Sequence, residues 1–179
     1  MGKLITGYAA GLGLLTLAGL LLNFEGVVSR TASQFNLFLI LLEAYTPLLT
    51  PFSSAVGCPT IGGGSPLGPL PLVAWILTSC ILGFLLESGE EAAKASFLAS
   101  ASILILWIGS LFLSAPAWPD YHTWLSTLNK LSSDLISRPV DLSLIIVGPL
   151  LVSAAIGQLS EELRSRAIEK ELEKRYKLY

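Results

Sequence analysis

The chain has 179 residues, of which 53% are hydrophobic and 13% charged, with a formal net charge of −2 and a mean hydropathy of +0.68. Soluble domains carry roughly twice that share of charge, so a water-soluble globule is excluded, and the length suits one bundle rather than two membrane domains. No basic patch points to nucleic acid.

Five apolar runs, near residues 4–22, 35–53, 70–86, 97–113 and 142–157, take up most of the chain. A helix rising 1.5 Å per residue needs about 20 residues to cross about 30 Å of hydrocarbon. The expected fold is therefore an all-α membrane bundle of five spans over residues 1–158. The first run follows Lys3 but ends at Asn23 and Glu25 with no A-x-A cleavage pattern, so it reads as a span and not as a signal peptide. Gly7 and Gly11 form a GxxxG pattern in it, which lets another helix of the same chain approach closely.

The second run carries the residue with the most chemical potential, Glu43, the one acid lying centrally in an apolar run. A carboxylate at the centre of a span costs a few kcal/mol, so it is expected to be protonated, paired or beside water. Pro47 lacks the N–H that would bond the Glu43 carbonyl, and Pro51 lacks the one for the Pro47 carbonyl. A kinked polar stripe of Asn36, Glu43, Thr46, Thr50 and Ser54 is expected to face the bundle. Glu43, Thr46, Pro47 and Thr50 are thus the candidate proton or ion site, by analogy with the broken helices of transporters. The competing reading is structural: a protonated Glu43 donating to Thr78 or to a serine of the fourth run.

Between the second and third runs, residues 55–69 are uncharged and rich in Gly and Pro. They read as a surface loop, re-entry being allowed only where protein or water covers the backbone. Gly57–Pro66 lacks the Lys-Ser or Lys-Thr of a phosphate loop. Ser88 and Glu91 match a capping box that starts the fourth helix after a tight hairpin. Cys58 in a loop and Cys80 within a span read as two free thiols. With a single histidine, His122, and no C-x-x-C or H-E-x-x-H pattern, haem and the common zinc sites lack ligands, so no cofactor or metal is expected.

Residues near 121–137 alternate Trp124, Leu128, Leu131 and Leu135 with Asn129, Lys130, Ser133 and Asp134. This pattern predicts an amphipathic helix in the outer interface, with Trp118, Tyr121 and Trp124 at headgroup depth. A lid over an outer cavity is the functional alternative. Arg138-Pro139 ends that helix, and Asp141 is expected to cap the fifth span. The last run continues into a charged helical tail over 159–179, with acid-before-base pairs such as Glu162 and Arg166. Its stripe of Leu163, Leu172 and Tyr176 is the candidate surface for partner contact.

Six of the eleven basic residues, Arg164, Arg166, Lys170, Lys174, Arg175 and Lys177, follow the fifth run, which puts the tail in the cytoplasm. Five spans then put the N-terminus outside; four would put it inside. The function read from these residues is that of a non-catalytic, multi-pass protein of the cell membrane, a structural or accessory subunit in contact with lipid and with other membrane subunits or copies of itself. The alternative is a small proton-linked or cation transporter using Glu43. An enzyme is not expected, because clustered acids, metal ligands or an activated nucleophile are lacking. Scarce Asn, Gln, Met and Cys hint at a thermophilic source.

Overall fold

The computed structural model describes residues 2–33, 36–86 and 88–176, with 30–33 and 170–176 as backbone only. Every regular element among them is helical: α1 (Gly2–Leu22), α2 (Phe24–Ser33), α3 (Leu37–Tyr45), a 3-10 turn (Thr46–Leu49), α4 (Pro51–Ala55), α5 (Leu70–Leu85), α6 (Gly89–Leu113), a second 3-10 turn (Ala115–Ala117), α7 (Tyr121–Ile136) and α8 (Pro139–Tyr176). Three of these helices are long and apolar enough to cross a membrane, within Gly2–Leu22, Gly89–Leu113 and Pro139–Glu169. The apolar helices Leu37–Leu49 and Leu70–Leu85 are shorter.

Four helices form the body of the bundle, and small residues set their directions. Gly7 of α1 lies against Leu86 and Gly11 against Leu82 and Ala99, so α1 runs antiparallel to α5. Leu4 packs on Leu86, Ala92 and Ala95, and the Tyr8 hydroxyl meets Ser102 at 2.9 Å, so α1 and α6 run parallel. Gly83 abuts Ile156, Gly89 abuts Ala154 and Gln158, and Ser153 Oγ donates to the Ala92 carbonyl at 3.2 Å. Therefore α8 runs alongside α5 and against α6. A Cβ on Gly157 would sit 2.7 Å from the Gly89 Cα. These close approaches replace the hydrophobic driving force that lipid removes, and the Gly7–Gly11 face is used within the chain. Large side chains turn the other way: Leu17, Phe84, Ile105 and Leu151, from four different helices, are all exposed.

As a result the start of α1 lies at the same end of the bundle as the origin of the tail, which we term the tail end. At the distal end meet the C-terminal ends of α1 and α6 and the N-terminal ends of α5 and α8. All remaining elements gather there.

The second apolar run is not one helix. It breaks into α3, the 3-10 turn and α4, and four hydrogen bonds tie it to Asn23 and to the distal half of α1, α5 and α6. Glu43 meets Asn23, Tyr45 meets Thr16, Thr46 meets Trp107 and Leu48 meets Trp75. The proline pair does more than kink the run: the turn between the two prolines is the deepest part, and Pro51 starts a new helix in its first position.

Helix α7 caps the distal end with its apolar stripe on protein. Leu131 and Leu135 are each 8% exposed, and the Trp124 indole donates to the Leu111 carbonyl at 3.1 Å. One further expectation, the Asp141 cap, changes. Asp141 lies in the first turn of α8, behind Pro139 in the first helical position, and its carboxylate binds elsewhere. The Ser88 cap is as expected, accepting from the Glu91 N–H at 3.3 Å. Helix α8 has 38 residues, about 57 Å at 1.5 Å per residue, and Glu162 and Arg166 approach at 4.0 Å on its exposed part. The side chains of Leu172 and Tyr176 lie outside the described residues, whereas Leu163 is 64% exposed.

Candidate functional site

Breaking a helix inside a low-dielectric body leaves backbone donors and acceptors that need partners. Around Pro47 and Pro51 the rest of the protein supplies them. The Glu43 carbonyl, deprived of its donor by Pro47, accepts from Asn23 Nδ2 at 3.0 Å. The Pro47 carbonyl, deprived by Pro51, accepts from the Thr50 N–H and hydroxyl, each at 3.5 Å. The Leu48 carbonyl accepts from the Trp75 indole at 2.8 Å.

On the donor side, the first turn of α4 offers the N–H groups of Phe52 and Ser53, and both donate to Asp141 Oδ1, at 2.7 and 3.0 Å. The Ser53 hydroxyl donates to Asp141 Oδ2. Asp141 is 1% exposed. A carboxylate at the positive end of a helix, filled by three donors, is an internal cap reaching 89 residues along the chain. It fastens the broken run to α8.

The sequence-predicted residues separate accordingly. Glu43, Thr46 and Pro47 line one cavity of about 440 Å³ at the distal end. Thr50 is fully buried and not part of that lining. Thr46 donates to the Leu42 carbonyl at 2.6 Å and accepts from the Trp107 indole at 3.0 Å, which fixes its hydroxyl. The half-buried Glu43 carboxylate accepts from Asn23 Nδ2 at 3.1 Å. Thr78 and the serines of α6, Ser96, Ser100, Ser110 and Ser114, are buried. Of these, Ser100 and Ser110 have no hydrogen-bond partner among the described residues.

The far wall of the cavity comes from the Gly-rich loop and α7. Gly62 and Gly63 take φ of 84° and 87°, left-handed values that favour glycine. The resulting turn presents the Gly62 N–H to Asp134 Oδ2 at 3.0 Å and its carbonyl to Lys130 Nζ at 2.8 Å. Arg138 adds a bond to the Pro59 carbonyl at 2.7 Å. The loop is thus tied to α7 by charged side chains, and Ile61 is buried beneath it. Helix α7 itself starts at Asp120, which accepts from the Thr123 N–H and hydroxyl at 2.7 and 2.8 Å. Those bonds, the backbone one first, hold the Asp120 carboxyl below the usual carboxylate range.

Sequence reasoning missed Asn23, Asp141 and Lys130. Asn23 looked like the boundary of a span and Asp141 like a local cap. Only Pro139 beside Asp141 hinted that an acid in the first turn is not itself the cap. No group of three or more potential metal ligands occurs among the described residues. Comparison with known proteins finds no match: no family model, no curated protein and no solved structure resembles the chain.

Proposed function

We propose that the chain is a non-catalytic polytopic membrane protein that serves as a structural or accessory subunit, contacting a partner in the membrane through the tail of α8. The observation that carries this reading is the length of α8 together with what its projecting part exposes. About 57 Å of helix against about 30 Å of hydrocarbon leaves nearly half beyond the membrane. On that part Leu159, Leu163 and Ile168 are 54%, 64% and 60% exposed. Apolar side chains standing in water on a charged helix suit a protein partner. Native mass spectrometry after mild extraction tests it. An assembly lost on Leu163→Asp is expected, and a strictly monomeric, partner-free wild type overturns it.

The same reading has four crossings, α1, α5, α6 and α8, with the second run re-entering from the distal side and both ends of the chain in the cytoplasm. The shared position of the α1 start and the tail origin supports this arrangement over five alternating spans. A membrane-impermeant maleimide on intact cells is expected to label Cys58, which is exposed, but not a Gly2→Cys variant at residue 2. Labelling of both from outside returns the count to five.

The distal cavity favours a second reading, a solute or cation site at Glu43, Thr46 and Pro47. Protein donors already hold the carbonyls freed by the two prolines, so the cavity-facing carboxylate is the principal group in such a site. Cation flux in liposomes that Glu43→Gln leaves unchanged counts against it.

A further inference from the structure

We propose that the distal stretch of α8 binds one acyl chain of a membrane phospholipid, seated in an apolar groove that ends against the broken run. Such a site requires α8 to cross a membrane and is independent of the tail's partner and of Glu43. An outer groove of about 470 Å³ runs along α8 past Val140, Leu144, Val147 and Leu151. An inner pocket of about 160 Å³ shares Leu144 and Gly148 with it and reaches between α5 and α8 to Pro51, Trp75, Ser79 and Pro149.

Gly148 opens the passage between the two. A Cβ there would meet only the Leu144 side chain, at 3.6 Å, whereas at Gly83, Gly89 and Gly157 it would come to 2.7 Å from another helix. Those three glycines admit a neighbouring helix, and Gly148 leaves space. The inner end of that space suits nothing polar. The Trp75 indole donates to the Leu48 carbonyl at 2.8 Å and the Ser79 hydroxyl to the Trp75 carbonyl at 2.7 Å, so the donors of its polar side chains are spent within the protein. A polar ligand would give up its hydration there without equal return.

Length and continuity select the occupant. From Pro139 to Leu151 α8 rises about 18 Å at 1.5 Å per residue, close to the half-thickness, about 15 Å, of a hydrocarbon core. The groove therefore spans one leaflet, the reach of a single acyl chain that starts at headgroup level near Pro139. Its mouth joins the outer side of the helix without a break, since Val140, Val147 and Leu151 are 56%, 48% and 59% exposed. A partner helix, about 10 Å across with its side chains, is too wide for the inner pocket. An unfilled pocket forfeits dispersion contacts along its walls, and the chain restores them. Because Pro51 is the first residue of α4, the seated chain also packs on the broken run.

Full-length protein in vesicles of phosphatidylcholine, brominated either near the headgroup or near the methyl end of its chains, tests the site. Quenching of Trp75 is read as the difference between wild type and Trp75→Phe. Methyl-end bromines are expected to quench Trp75 at least twofold more than headgroup-end bromines, and Gly148→Leu, which fills the passage, to remove most of that quenching. Val147→Phe, at the exposed mouth, is expected to give a smaller loss and keeps the site testable where Gly148→Leu does not fold. Gly13→Leu, on an open and exposed face of α1, is expected to behave as wild type. Quenching in folded Gly148→Leu or Val147→Phe equal to that of wild type overturns the site. A dimer that Gly148→Leu converts to monomer with quenching unaltered gives the face to a second copy and overturns the acyl chain. Protein that fails to float with the vesicles overturns the membrane reading itself, whereas floating protein without chain-selective quenching overturns the acyl site alone.

Discussion

Glu43 and Asp141 lie at the same end of the bundle and carry the same functional group, yet they are held in opposite ways. Glu43 is half-buried on the wall of a cavity, held by an asparagine amide. Asp141 is 1% exposed and filled by two backbone N–H groups and a hydroxyl of α4. The acid that looked chemically loaded in the sequence lines a cavity, and the acid that looked like an ordinary cap is the structural clamp. An apolar stretch around a carboxylate measures its neighbours along the chain, whereas its burial depends on what other segments bring to it.

The largest effect separating the two is expected at Asp141. Asp141→Ala leaves three donors without an acceptor in a buried setting, at about 1–3 kcal/mol for each unsatisfied group. A loss of at least 3 kcal/mol in reversible unfolding in mild detergent is expected, with Asp141→Asn recovering part of it. The same denaturation of Glu43→Gln is expected to lose less than Asp141→Ala, because an amide oxygen still accepts from Asn23. Equal losses at the two positions would erase the distinction between clamp and cavity wall.

A smaller but still large effect tests what holds the broken run against α1. A Cβ on Gly19 would lie 2.3 Å from the Ala44 carbonyl oxygen, while one on Gly13 meets nothing within 4 Å. Gly19→Ala is expected to cost about 1–3 kcal/mol through forced backbone separation, and Gly13→Ala to be neutral or slightly stabilising. If both substitutions were tolerated alike, close approach at Gly19 would not be what seats the broken run.

The smallest effect concerns the start of α7, which covers the cavity. Asp120 has a folded pKa below its unfolded value near 3.9, so its contribution to α7 is present above about pH 4 and is lost as pH falls through the folded value. Amide-exchange protection at the start of α7 is expected to drop on acidification in wild type, and Asp120→Asn to flatten that response.

Much of the fold was legible in the sequence, for reasons that particular residues make plain. The runs at 4–22, 70–86 and 97–113 correspond to helices because every backbone group in lipid must bond within its own segment. Ser88 capped as its spacing with Glu91 implied, and Pro47 and Pro51 marked the break. The second run was less legible, because apolar length alone does not tell a crossing from a segment that enters and returns. The basic residues do not distinguish the two. Changing from five to four crossings exchanges Lys3 for Arg30 between the two sides and leaves eight inside and three outside in either case.

By itself the sequence determined the solvent, the helical class, the positions of the breaks and the presence of one acid within an apolar run. Only the tertiary structure decided which acid is buried, which donors take up the broken backbone, and that Lys130 of α7 shares a cavity with Glu43. The physical reason is range. Hydropathy, capping and proline effects act within a few residues, but the bonds that satisfy a broken helix join Asn23 to Glu43, Leu48 to Trp75 and Phe52 to Asp141. Such partners become neighbours only when the bundle closes.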